Sequence, residues 1–214
     1  MAETRWTFGV APLPEFLECA SRLRTVTGLL LSLEAPDPAV ERLIAALRSA
    51  EAELRLVVPG SPAPRVGANA TADGRVYLDH SRDIGAYNPC FPAYEIRVDG
   101  DRASGAVTFP IAYEGPPGIV HGGFLAVFFD SVIQHHNCDV GVAGKTTSLT
   151  LTYRRPTPLL TALQFEVERS VADRRIASTA RLTADGVVLC EAQMSAVAGD
   201  LSRLPEMSPR RSSA

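Results

Sequence analysis

The sequence predicts an α+β domain in which an antiparallel sheet of about six strands wraps one long apolar helix, behind an N-terminal helical extension. Three observations carry this. The stretch from His121 to Asn137 is apolar on nearly every side, and such a helix has to be enclosed. Segments that alternate at a period of two flank it, two before and four after, and turn pairs such as Asp99-Gly100 and Asp185-Gly186 punctuate them. The first 58 residues instead show helical spacing.

Taken in order, Pro14 to about Arg24 reads as a short helix with Phe16, Leu17, Ala20 and Leu23 on one side. A second helix starts after Pro36-Asp37-Pro38, with Asp37 as N-cap and Pro38 in the first turn. Val40, Leu43, Ile44 and Leu47 form its apolar face, and Pro59 ends it. A linker or surface loop is expected over 59–75, the main domain over 76–198 and a disordered tail over 199–214. Within the main domain, strands are expected at Tyr94–Val98 and Ala106–Tyr113. After the central helix come Thr146–Tyr153, Leu163–Val171, Ile176–Ala184 and Val187–Val197, read as a four-strand meander. Strict alternation places Leu149, Leu151 and Tyr153 on one face.

Composition excludes several classes. The chain has 214 residues, 46% hydrophobic and 21% charged, ample for a packed core. Its net charge of −3 gives no case for nucleic acid or an anionic membrane surface. Cys19, Cys90, Cys138 and Cys190 lack any CxxC or metal-ligand spacing, so reduced and mostly buried thiols are expected, with no metal. The N-terminus has neither the basic start nor the apolar core of a signal peptide. The apolar runs at Gly28–Leu33 and Phe124–Phe129 are too short to span a bilayer. A cytoplasmic protein is expected.

The chemistry concentrates around His121-Gly122-Gly123. A glycine-rich helix start offers backbone N–H groups that can hold developing negative charge. Nine residues beyond His121, Asp130 sits among Phe128, Phe129, Val132 and Ile133. A carboxylate there must be paired, neutralised or functional, because a bare buried charge is costly. Together these features suggest acyl chemistry. Gln134 follows Asp130 by four residues and shares its helix face, within reach of it or of a substrate. Phe124, Phe128 and Phe129 offer an apolar pocket wall. Arg154-Arg155 either hold phosphates or end a strand in solvent. His135-His136 point about 100° apart and chelate poorly together, so a helix cap or a pocket contact fits them better than a metal.

The segment Tyr-Glu-Gly-Pro-Pro-Gly-Ile-Val-His-Gly-Gly from Tyr113, then Asp130, then Thr146 and Leu-Thr-Tyr-Arg-Arg-Pro156, resembles the PaaI-type hotdog-fold thioesterases of the 4-hydroxybenzoyl-CoA thioesterase superfamily. The resemblance covers roughly 87–197, about half the chain. It implies a hotdog fold and an acyl-CoA thioesterase needing no cofactor, coenzyme A being part of the substrate. It implies Asp130 as nucleophile or general base, the Gly122 N–H as oxyanion hole, and His121 as the residue orienting loop or substrate. Thr146 would assist the acid, and Gly123 would contact substrate beside Gly122. Many members carry an Asn in the loop before the His, whereas this chain reads Glu114-Gly115-Pro116-Pro117.

Helical rise adds a constraint. Nine residues span roughly 13 Å, so Asp130 cannot serve a carbonyl held at its own Gly122. Two protomers with antiparallel central helices would bring one chain's Asp130 to the other's Gly122, which argues for a homodimer, possibly within a tetramer. The competing readings are a thioesterase acting on acyl-carrier protein in lipid or polyketide metabolism, and a non-catalytic acyl-CoA-binding or assembly module.

Overall fold

The computed structural model describes residues 14–58, 83–141 and 144–198. Helices α1 (Pro14–Leu31), α2 (Pro38–Val57) and α3 (Ile84–Tyr87) precede strands β1 (Tyr94–Asp99) and β2 (Arg102–Val107). The central helix α4 (Gly122–Asp139) follows, then β3 (Gly144–Tyr153), β4 (Leu163–Ala172), β5 (Arg175–Ala184) and β6 (Val187–Ala198). The expected linker at 59–75 and tail at 199–214 lie outside the described residues.

The six strands form one antiparallel sheet in the order β1-β2-β4-β5-β6-β3. The expected four-strand meander is therefore only three strands long. β3 does not pair with β4; it crosses to the far edge and pairs with β6, while β4 joins β2. The segment between β3 and β4 carries Pro156 and Pro158, which suit a crossing segment and not a tight hairpin.

The sheet curls round α4 because its inward positions are apolar. Leu163, Phe165 and Val167 on β4, Ile176, Ala180 and Leu182 on β5, and Ala192, Met194 and Ala196 on β6 are all buried. Phe128 of α4 meets Phe109 and Phe165 edge to face, at 5.4 and 5.3 Å between ring centres. Such ring pairs add about 0.5–1.5 kcal/mol each beyond the area they bury. The outer face of the sheet is polar, with cross-strand ion pairs Glu166–Arg181 and Arg154–Glu191.

Three boundaries differ from expectation for local reasons. α1 runs seven residues past Arg24, to Leu31. Thr25 and Thr27 return their hydroxyls to the carbonyls of Ser21 and Leu23, so residues that usually favour helix ends are satisfied inside this one. β2 occupies Arg102–Val107, not Ala106–Tyr113. Pro110 cannot donate to a ladder, and Phe109 and Tyr113 leave the sheet to plug the core, where both are buried. α2 starts as expected, with the Ala39 N–H donating to the Asp37 carboxylate at 2.7 Å.

Arg24 anchors α1 by donating to the carbonyls of Gly85 and Asn88 at 2.9 and 3.1 Å. α2 buries none of its residues among those described, and Ile44, Leu47 and Leu54 stay exposed. Two of the four cysteines, Cys19 and Cys90, are exposed free thiols, so the expectation of mostly buried thiols holds only for Cys138 and Cys190. Burial pushes the Cys190 thiol up to about 11, keeping it protonated and inert. Among the described residues, no helix is long and apolar enough to cross a membrane.

Candidate functional site

α4 is not enclosed on every side. Gly123, Ala126, Val127, Asp130 and Gln134 keep partial or full exposure, and these spacings trace one line along the helix. Asp130 and Gln134 both lie on that open line, one turn apart.

The acid has a built environment. The Thr146 hydroxyl donates to Asp130 Oδ1 at 2.9 Å, and Gln134 Nε2 donates to Thr146 Oγ1 at 2.8 Å. Gln134 thereby occupies the acceptor side of the hydroxyl and directs its proton at the carboxylate. Gln134 Oε1 is buried without a partner among the described residues.

Thr146 reaches Asp130 because β3 is irregular. Strict alternation puts Thr146 and Tyr153, an odd number of residues apart, on opposite faces of the strand. The register against β6 shifts between Thr146 and Ser148. One extra residue resets the phase, so Thr146, Leu149, Leu151 and Tyr153 all turn toward α4. The uninterrupted alternation read from the sequence is thus corrected at one position, the one that matters to the acid.

At the other end of the helix, His121 is the N-cap, in extended backbone at φ −64° and ψ 131°. Its N–H donates to the Tyr113 carbonyl at 2.9 Å, and its Nδ1 accepts from the Gly123 N–H at 3.0 Å. With Nδ1 an acceptor, the neutral ring carries its proton on Nε2. The Gly123 N–H is consequently occupied, while the Gly122 N–H has no acceptor among the described residues. Gly115 lies against this turn so closely that a Cβ would come within 2.8 Å of the His121 Cα. Glu114, in the loop where many family members carry Asn, accepts from the Gly118 N–H at 2.7 Å and serves its own turn.

The remaining candidates are scattered. Phe129 is fully buried in the core and offers no surface to a substrate in this chain; Phe128 is equally enclosed, and only Phe124 is partly open. The cause is helical phase, because Phe128 and Phe129 point into the sheet while Asp130 points along the open line. Arg154 neighbours Tyr153 on the strand and so faces the opposite side, where its Nε meets Glu191 at 2.7 Å. It lines a groove of about 370 Å³ with Glu166, Arg181 and Glu191 on the outer sheet face. Arg155 is exposed and shares with Arg154, Val187 and Val188 a depression of about 490 Å³. Neither lining includes Asp130 or Gly122.

His135 and His136 are buried. His135 Nδ1 lies 3.0 Å from the Tyr94 hydroxyl, and His136 Nε2 lies 2.8 Å from the Gly100 carbonyl. They tie the end of α4 to β1 and to the β1–β2 turn. Among the described residues, no group of three or more His, Cys, Asp or Glu is placed to hold a metal ion. Burial first, with the Arg169 guanidinium adding to it, lowers the His136 pKa below its usual 6.5. The folded protein therefore binds fewer protons than the unfolded chain just below that value. The stability contributed by the neutral ring is complete above pH 6.5 and is lost as the pH falls through it. Urea midpoints measured from about pH 7 to about pH 5 are expected to decline, and His136→Gln to flatten the decline. An equal slope in the variant would assign the acid sensitivity to other groups.

No family model matches the chain, and no curated protein does. Among solved structures, the crystal structure of a thioesterase superfamily protein is 29% identical, with a TM-score of 0.70, over 88% of this chain and 97% of that one. The hotdog portion is only about half of this chain, so a match of that span takes in the N-terminal helices as well. A hypothetical thioesterase from Streptococcus pneumoniae, solved with coenzyme A, is 18% identical over 49% of this chain and 87% of that one, at a TM-score of 0.47. A putative thioesterase from Ralstonia eutropha JMP134, a phenylacetic acid degradation-related protein, is 21% identical over 49% and 83%, at 0.41. With its strand order, its central helix packed on the curled sheet and the first of these likenesses, the chain has the hotdog fold found in the thioesterase superfamily.

Proposed function

We propose that the chain hydrolyses acyl-CoA thioesters to a free acid and coenzyme A, at sites shared between two protomers. The observation that carries this is the ordered set Gln134–Thr146–Asp130, which aims a hydroxyl at a half-exposed carboxylate in the apolar stretch of α4. A purely structural acid has no need of an open helix line or a free N–H at the helix start. The likeness to a thioesterase superfamily protein over most of both chains supports the same class of reaction.

In this reading the thioester carbonyl oxygen accepts from the Gly122 N–H of one protomer, helped by the positive end of α4. The His121 Nε2–H lies on the same turn as a further donor. Asp130 of the other protomer takes a proton from water, whose oxygen adds to the carbonyl carbon. The C–S bond then breaks, and the sulfur leaves with that proton as the coenzyme A thiol. Direct attack by the carboxylate, giving an anhydride that water opens, uses the same groups. Arg155, exposed just beyond the end of β3, is the better placed of the two arginines for the phosphates of coenzyme A, since Arg154 already meets Glu191.

The test is thiol release from short, long and aromatic acyl-CoAs, alongside the same acyl groups on carrier protein. Turnover of at least one CoA thioester is expected. Release from the carrier-bound series alone would move the substrate class to acyl-carrier protein, and release from neither would sink the hydrolytic reading.

A further inference from the structure

The peptide unit between Gly122 and Gly123 is held at both ends. Its N–H, from Gly123, donates to His121 Nδ1 at 3.0 Å, and its carbonyl, from Gly122, accepts from the Tyr153 hydroxyl at 3.0 Å. The Tyr153 ring also lies over the Gly122 Cα, since a Cβ built there would meet the phenol oxygen at 3.0 Å and ring carbons at 3.1 and 3.2 Å. Glycine explores more backbone conformations than any other residue, and two in succession at a helix start need outside restraint to keep one N–H aimed. A peptide plane fixed at both its donor and its acceptor cannot rotate. Two units back, the Val120–His121 peptide is fixed by the His121 N–H on the Tyr113 carbonyl. Between these two fixed planes stands the Gly122 N–H, the donor left without an acceptor.

We infer that Tyr153 is a positioning residue of the site: its hydroxyl preorganises the Gly122 N–H for the oxyanion. The inference rests on the proposed thioester hydrolysis. It explains why an aromatic side chain still 56% exposed is aimed by a hydrogen bond at a backbone carbonyl. It also gives the β3 bulge a double purpose. By turning both Thr146 and Tyr153 toward α4, one edge strand orders the acid at the middle of the helix and the donor at its start. In a dimer of shared sites these are halves of two different sites, so each β3 serves both.

The test is Tyr153→Phe, which keeps the ring over Gly122 and removes only the hydroxyl. Thiol release should lose about five- to tenfold in kcat with KM nearly unchanged, because the lost contact acts on the developing oxyanion and not on substrate binding. Backbone order parameters from NMR relaxation should fall at the Gly122 and Gly123 amides and hold elsewhere along α4. A wild-type kcat, or a lower kcat with both amides as rigid as before, overturns the inference. Asp130→Asn, assayed in parallel, separates this failure from that of the underlying reading: an inactive Asp130→Asn beside a fully active Tyr153→Phe removes only the role of Tyr153. Full activity in Asp130→Asn removes the site itself.

Discussion

Asp130→Asn is expected to leave the fold and its thermal midpoint nearly unchanged and to lower kcat for thioester hydrolysis by about 10²–10⁴-fold. The substitution is close to isosteric, and an Asn Oδ1 still accepts from the Thr146 hydroxyl that now donates at 2.9 Å. Gln134 continues to orient that hydroxyl. What disappears is the ability to take a proton or attack a carbonyl, since an amide does neither. Asp130 is half-exposed on the open line of α4, so no buried cation is left unpaired by the change. Circular dichroism and melting establish the fold, and thiol release establishes the rate. A variant retaining activity within about twofold of wild type would mean that the acid is a structural residue.

The parts of this picture that were legible in the sequence are those governed by local pattern. The apolar helix, the alternating strands and the turn pairs fixed the α+β class, and the family motif directed attention to His121, Gly122, Asp130 and Thr146. What escaped was decided by tertiary packing. The run from Ala106 to Tyr113 is as apolar as a strand, yet Phe109 and Tyr113 are drawn into the core and Pro110 ends the ladder. The place of β3 at the far edge depends on pairing with β6, a partner more than thirty residues away, which periodicity does not encode.

The bulge is the instructive case. Thr146 and Tyr153 are separated by an odd number of residues, so one regular strand cannot turn both toward the helix. Had both been required to face α4, an irregularity between them would have been deducible in advance. Tyr153 reads from the sequence as the end of an apolar row and as part of the family-like motif, and nothing in its own type or spacing reports that its hydroxyl meets the Gly122 carbonyl. Phe129 lies in the core and Arg154 meets Glu191 for a related reason. Each is adjacent in sequence to a site residue, and adjacency turns a side chain about 100° on a helix and to the opposite face on a strand.

Gly122→Pro isolates the other half of the site. Gly122 is the first residue of α4, where proline is favoured and its missing N–H breaks no helical bond. The preceding His121, at φ −64° and ψ 131°, already has the extended backbone that a following proline demands. The ring crowds Tyr153, because a Cβ at this position meets the phenol at 3.0 Å. Gly122→Ala imposes the same crowding and keeps the N–H, and is the proper reference. Relative to it, Gly122→Pro should lose roughly 10²–10³-fold in kcat, the usual consequence of removing one oxyanion donor. The two inactive proteins then test whether sites are shared. A heterodimer carrying Asp130→Asn in one chain and Gly122→Pro in the other, isolated through two different tags, contains one composite site with both groups intact and one with neither. It should recover roughly half of the wild-type rate, although each parent homodimer is nearly inactive. A heterodimer as inactive as its parents would place the acid and the donor of each site in a single chain, which the length of α4 between them forbids unless a different N–H holds the oxyanion.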